Sequence, residues 1–238
     1  MTLDLNTLIF NGKNSLEDIG VGVQSYPPIY LSNENYSEYT VDGRNGSLIV
    51  NQGTYPDIKI PFDLVLVKFK DFYQSLDIVE DWLTNIEDNK LFYERADRCY
   101  KVKKVIKDDI KRQAYYGEGE FKATFLCEPF LNDPEPMELE INNPGEFFYT
   151  GNKNSLPITK VYGNGRIELR VNDNSIELKN VESYIELNSL LLKAIDSNEQ
   201  NKDIDANGNF PYLIPGENKI SWIGNVEKII LEFENNYR

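Results

Sequence analysis

Ile158-Thr159-Lys160-Val161-Tyr162-Gly163-Asn164-Gly165-Arg166-Ile167-Glu168-Leu169-Arg170-Val171-Asn172-Asp173-Asn174-Ser175-Ile176-Glu177-Leu178 reads as strand, turn, strand, turn, strand. Ile158–Tyr162, Arg166–Val171 and Ser175–Leu178 mix apolar and polar residues as half-buried strands do. Gly163-Asn164-Gly165 and Asn172-Asp173-Asn174 are made of residues that accept positive φ, so both are expected to be hairpin turns. The pattern continues on either side. Met137–Ile141, Ser183–Leu187, Ile220–Trp222 and Val226–Phe233 are further short strands, set apart by Gly-, Asn- and Pro-containing turns. Strands at a spacing of about ten residues predict a sandwich for this half.

Upstream, Asn132–Pro136 holds two prolines and two acids and is the best candidate linker. Before it lie Cys99–Ile106 and Phe121–Cys127, two alternating strands with Gly117-Glu118-Gly119 expected to turn between them. One amphipathic helix stands out between Asp71 and Glu87. Ile78, Trp82 and Ile86 recur at i, i+4, i+8, with Val79 and Leu83 beside them and acids on the other face. Ser75 or Asp71 is suited to cap its start. Ile58–Phe69 has strand character, with Pro61 pointing to an edge or a strand start. Thr7–Phe10 and Ile19–Val23 are short apolar runs, and Asn45-Gly46 is a strong tight-turn signal.

Composition excludes more than it names. The chain has 238 residues, 25 Lys+Arg against 39 Asp+Glu, a net charge of −14 and no histidine. At roughly 100–200 residues per domain, the length suits one large domain or two small ones. Without histidine there is no Ser-His-Asp or Cys-His catalysis and no His-liganded zinc. The negative balance argues against a dedicated binder of DNA or anionic membrane. Met1–Phe10 has Asp4 and no cationic or apolar leader region, so no signal peptide is expected. No stretch approaches the ~18 apolar residues of a membrane span, and a soluble cytoplasmic product is expected. Cys99 and Cys127 both fall in strand patterns and read as small buried residues, not as a disulfide framework.

Four further patterns carry possible chemistry. Asp203-Ile204-Asp205-Ala206-Asn207-Gly208 matches the first half of an EF-hand loop, but the position of the bidentate Glu is Ile214, so a solvated turn is expected there. Adjacent acids at Glu17-Asp18, Glu80-Asp81 and Asp108-Asp109, with Glu138 and Glu140 on one strand face, are compatible with a carboxylate-pair glycosidase, but any chain with 39 acids produces such pairs and solvated faces are expected. Between Lys90 and Arg112 nine basic residues outnumber four acidic ones. Tyr93, Tyr100, Tyr115 and Tyr116 are interleaved with this island, as in single-strand nucleic-acid binders. Lys101, Lys103 and Lys107 also alternate with Val102 and Ile106 as on the solvent face of a sheet, and a contact with an acidic neighbouring subunit is a third reading. Gly163-Asn164-Gly165 lacks the third glycine of a dinucleotide site.

The order of these motifs resembles the distal tail protein (Dit) family of long-tailed bacteriophages. In the first half, Val41-Asp42-Gly43-Arg44-Asn45-Gly46 is similar to the family's P-G-R-x-G turn, with Asp42 where proline is usual, followed by Tyr55. Then come Trp82-Leu83, Arg98-Cys99-Tyr100 and Phe125-Leu126-Cys127-Glu128-Pro129-Phe130. In the second half, Asn143-Pro144-Gly145 leads to Leu156-Pro157-Ile158, Val161–Gly165, Val181–Leu187 and the closing Phe210–Ser221 segment.

The resemblance implies a mainly β protein with one helix. Residues 1–130 would form a belt β-sandwich that assembles as a homohexameric ring, and residues 131–238 a galectin-like β-sandwich. It implies a structural baseplate hub at the distal end of the virion tail, assembled in the bacterial host cytoplasm. Its expected partners are the tail tube protein, the tail-tip or tail-associated lysin protein, and receptor-binding proteins. No enzyme activity, catalytic residue, metal, cofactor, specific nucleic acid or membrane is implied. True galectins read galactose partly through a histidine that is missing here, so the second half is expected to be an attachment scaffold. The alternative is a carbohydrate-binding host-adhesion module. Arg44, Asn45, Lys101, Lys103 and Lys107 are the candidate ring contacts.

Overall fold

The computed structural model describes residues 7–25, 27–67, 71–112 and 119–238. The chain forms two compact units, Met1–Pro134 with Arg238, and Glu135–Tyr237.

The strands of the first unit are β1 (Ile9–Phe10), β2 (Lys13–Asn14), β3 (Val21–Ser25), β4 (Tyr36–Thr40), β5 (Ser47–Asn51) and β6 (Ile58–Leu66). Helix α1 (Phe72–Thr84) follows, then β7 (Lys90–Phe92), β8 (Cys99–Lys107), β9 (Lys111–Arg112) and β10 (Gly119–Asn132). An antiparallel sheet runs β2-β1-β7-β8-β10-β6-β3, with β9 beside β10, while β4 and β5 pair, among the described residues, only with each other. Pro61 lies mid-strand in β6. Its strand is flanked by β3 only from Asp63 to Leu66, so on that side Pro61 faces no ladder partner. Gly117 and Glu118 of the expected turn lie outside the described residues.

Asp71 caps α1: its Oδ1 accepts from Gln74 N at 2.9 Å. The buried stripe is Phe72, Val79, Trp82 and Leu83, with Leu76 and Ile86 packed against the core. Ile78 lies beside that stripe and is 51% exposed. The i, i+4, i+8 reading was therefore centred too far round the helix. At the other end of α1, the turn residue Asn11 (φ 52) clamps the last turn. Its Nδ2 donates to the carbonyls of Trp82 (3.1 Å) and Asn85 (2.6 Å), and its Oδ1 accepts from Glu87 N and Asp88 N.

The second unit consists of β11 (Met137–Ile141), β12 (Gly145–Tyr149), β13 (Ile158–Val171), β14 (Asn174–Asn188), β15 (Lys193–Asp196), β16 (Ala206–Gly208) and β17 (Gly216–Phe233). The order is β11-β17-β13-β14-β15, with β12 also on β17 and β16 also on β14. Six of the short strands expected from the sequence merge in pairs into the long strands β13, β14 and β17, and β12, β15 and β16 are additional to the expected set. Asn172-Asp173 is the two-residue turn between β13 and β14, with Asn172 at φ 56 and Val171 paired to Asn174. Gly163-Asn164-Gly165 is not a turn. It lies inside β13, where the register with β14 and β17 shifts. A Cβ on Gly163 would sit 2.2 Å from the Asn225 carbonyl, and Gly165 has φ +83. Glycine serves here to let two backbones touch and bend. Both halves of each long strand reach one core cluster: Val161 with Leu169, Ile176 with Ile185, and Ile220 with Leu231. The curled sheet thus closes over its own core, as a β-sandwich does.

Candidate subunit-contact site

The hairpin β4–β5 stands out because, among the described residues, both of its faces are left uncovered. Pairing runs from Tyr36↔Asn51 to Thr40↔Ser47, and Gly43 and Gly46, both at φ +80, shape the tip. The positive φ falls on these two glycines and not on Asn45. One face presents Tyr39, Val41, Leu48 and Val50 and the other Tyr36 and Ile49, all of them exposed. An isolated two-stranded hairpin is marginal in water, and this one carries apolar side chains on both faces. Its root is well anchored. Asn35 N donates to the Thr54 carbonyl at 2.8 Å, Gln52 N to the Asn35 carbonyl at 2.8 Å, and Gly53 N to Glu34 Oε1 at 2.8 Å. Just upstream, the buried Ser32 hydroxyl donates to the Pro129 carbonyl of β10 at 2.5 Å.

Arg44 and Asn45 are at the exposed tip. Lys101, Lys103 and Lys107 lie on β8, a different element of the same unit. Lys101 pairs in register with Lys90. Lys103 reaches Asp57 at 2.7 Å, and that hydrogen bond raises its pKa from the ordinary lysine value. Lys107 reaches Glu80 at 2.5 Å and Thr84 Oγ1 at 2.7 Å, tying β8 to α1. Its hydrogen bond holds the Glu80 carboxyl below the usual range.

The sequence pattern placed Ile106 inward, but a bulge shifts β8. Leu126 pairs with Lys104 and Cys127 with Val102, so Lys103 and Lys104 both face outward. Val105 is consequently buried, Ile106 is 44% exposed, and Lys107 turns toward the helix. The single-strand nucleic-acid reading loses its platform. Tyr93 and Tyr100 stack on each other at 5.8 Å inside the core, where burial pushes both phenols above their ordinary pKa. Tyr115 and Tyr116 lie outside the described residues.

Several of the other carboxylates singled out in the sequence are taken up locally. Asp203 Oδ1 accepts from Ala194 N at 2.6 Å and its Oδ2 from Asn201 Nδ2 at 2.8 Å. Asp205 accepts from Asn180 Nδ2 at 3.0 Å. Asp18 accepts from Asn14 N, Asp81 from Asn85 Nδ2, and Glu140 from Lys228 Nζ. Among the described residues no group of three or more His, Cys, Asp or Glu side chains is placed to hold a metal ion. Among them, no helix is long and apolar enough to cross a membrane. Cys99 and Cys127 are buried and in no disulfide, and burial pushes the Cys127 thiol up.

No protein-family model and no curated protein matches the chain. Solved structures do. The SPP1 Dit (gp 19.1) protein superposes with a TM-score of 0.69 over 99% of this chain and 100% of its own, at 12% identity. The fold is that of SPP1 Dit. That protein is described as a paradigm of the hub adsorption apparatus in phages infecting Gram-positive bacteria. Chains of the phage p2 baseplate in its activated conformation match at a TM-score of 0.46, with strontium at 12% identity and with calcium at 10%. The SPP1 Dit fold is shared across both units.

Proposed function

We propose that this chain is a structural hub protein of a phage tail, built as a homohexameric ring and carrying no catalysis of its own. The observation that carries the reading is the shared SPP1 Dit fold across both units. The β4–β5 hairpin supports ring assembly specifically. Its apolar faces need a cover, and a heterologous contact that closes supplies one to every copy at once. Arg44 and Asn45 at the tip then meet the next copy. The belt is residues 1–130 and the galectin-like half residues 131–238. The ring joins the tail tube to the tail-tip or tail-associated lysin protein and carries receptor-binding components, at the distal end of a virion tail assembled in the host cytoplasm.

A conduit for DNA must not retain it, and the net charge of −14 suits a lumen that is neutral or acidic. Cross-linking from the hairpin tip tests the ring. With Arg44→Cys the only exposed thiol is at the tip, since Cys99 and Cys127 are buried. A cysteine-to-lysine cross-linker applied to tails or concentrated protein should give a ladder that stops at the hexamer. A ladder that stops at the dimer, or none on native tails, would sink the reading, as would a solved ring with a lumen lined mainly by Lys and Arg.

A further inference from the structure

Asn-Gly occurs four times in the chain, at Asn11-Gly12, Asn45-Gly46, Asn164-Gly165 and Asn207-Gly208. The dipeptide has a reactivity of its own. The glycine nitrogen, once its proton is lost to solvent base, can attack the asparagine side-chain carbon, and the missing Cβ of glycine leaves the approach unhindered. The fold decides whether this happens, because the nitrogen must swing into line with a side chain that is itself free to turn. The four sites differ in this respect.

At Asn11 the side chain is occupied. Its Nδ2 donates to the carbonyls of Trp82 and Asn85, and its Oδ1 accepts from Glu87 N and Asp88 N. Asn164 and Gly165 lie inside β13, where Asn164 pairs with Glu182 on one side and Asn225 on the other, and Gly165 with Val181. Asn207 and Gly208 pair with Glu177 and Ile176, and a Cβ on Gly208 would lie 2.4 Å from the Ser175 carbonyl. Strand dihedrals hold the following nitrogen away from the side chain, so these sites react only after local opening.

Asn45-Gly46 has none of these restraints. Both residues are exposed, in the loop beyond the last ladder pair, Thr40↔Ser47. Among the described residues, neither the Asn45 side chain nor the Gly46 N–H has a hydrogen-bond partner. Apart from its chain neighbours, no atom lies within 4 Å of where a Cβ on Gly46 would sit, so there is room for a ring to close.

We propose that Asn45 is a site of spontaneous deamidation in the unassembled protomer, and that the fold protects the other three Asn-Gly pairs. The Gly46 nitrogen bonds to Asn45 Cγ, and the side-chain nitrogen leaves as ammonia, giving a five-membered cyclic imide. Water then opens the imide at one of its two carbonyls. One opening yields an aspartate and the other an isoaspartate, in which the main chain runs through the former side-chain carbonyl. Water is consumed and ammonia released, with no change of oxidation state. Either product adds one negative charge next to Arg44. Deamidation therefore alters the tip that meets the next copy, a consequence that rests on the ring reading, whereas the chemistry does not.

Peptide mapping by mass spectrometry tests the proposal on the full-length protein, held at mildly alkaline pH in water enriched in heavy oxygen. Deamidation during the incubation takes up the label, and any that arises later in sample handling does not. The Asn45 peptide is expected to convert at least about tenfold faster than the Asn11, Asn164 and Asn207 peptides, since those sites must first break hydrogen bonds. Unfolding in urea should bring the four rates together. Asn45→Gln, whose side chain would have to close a six-membered ring, should suppress the acidic band that accumulates on isoelectric focusing. Equal rates in the folded protein, faster conversion at any of the other three sites, rates that stay apart in urea, or an acidic band undiminished in Asn45→Gln would each overturn the proposal.

Discussion

Trp82 Nε1 donates to the backbone carbonyl of Phe10 at 2.8 Å, with both residues fully buried and their rings edge-on at 6.0 Å. This contact fastens the helix to the first strand across 72 positions of sequence. Trp82→Phe keeps most of the packing and removes the donor, so it should cost about 1–3 kcal/mol, the penalty of an unpaired buried group. Trp82→Ala should cost about 3–5 kcal/mol, because it adds a cavity. Denaturant unfolding followed by circular dichroism measures both. A Trp82→Phe variant as stable as wild type would show that the hydrogen bond contributes nothing.

Asn11 supplies the complementary clamp, with two donations to carbonyls at the helix end and two acceptances from the amides that follow. Asn11→Gly keeps the positive φ and loses the side-chain bonds, whereas Asn11→Ala loses both. The alanine variant should therefore be the less stable, by about 1 kcal/mol. Asn11→Asp keeps the acceptor but sets a negative charge where helix carbonyls already point, and should fall below wild type. Thermal melts of the three variants check the order, and an Asn11→Gly as stable as wild type would remove the clamp.

What was legible in the sequence was chemistry that acts over a few residues. Asp71 as a cap and Asn172-Asp173 as a turn could be read because each is decided by its own neighbours. Gly163-Asn164-Gly165 could not, because the residues that permit a turn also permit a bend, and the choice is made by β17, some sixty residues downstream. The same holds for Ile106, moved outward by a bulge that forms only when β8 meets β10. Arg44 and Asn45 were readable as a turn, while the bare apolar faces behind them depended on knowing that, among the described residues, no third strand pairs with β4 or β5.

The Lys107–Glu80 pair makes a pH prediction with a definite sign. The folded-state pKa of Glu80 lies below its unfolded value, chiefly through the Lys107 hydrogen bond. Its stabilisation is therefore complete above the unfolded carboxylate pKa and is lost as pH falls through the lower, folded one. The Glu80 side chain is 66% exposed, so solvent screening limits the contribution to roughly 0.5 kcal/mol or less. The stability difference between wild type and Glu80→Gln should be small and positive at neutral pH and should close in acid. A difference that instead grew on acidification would contradict the assignment.

Gly163 and Gly165 separate two reasons for glycine within three residues of one strand. At Gly165 the space is open and only the φ of +83 is at stake, so Gly165→Ala should cost about 1 kcal/mol. At Gly163 a methyl group would meet the Asn225 carbonyl at 2.2 Å and the Ile167 side chain at 2.9 Å. Backbone cannot yield there without breaking the β13–β17 ladder, so Gly163→Ala should cost about 1–3 kcal/mol or more, as overpacking does. The loss should register in the second unit. Trp222 is the only tryptophan there and Trp82 the only one in the first, so Trp82→Phe and Trp222→Phe backgrounds let fluorescence follow each unit separately. Gly163→Ala should lower the midpoint reported by Trp222. An equal cost at both glycines would mean that close approach of the strands is not what selects glycine at 163.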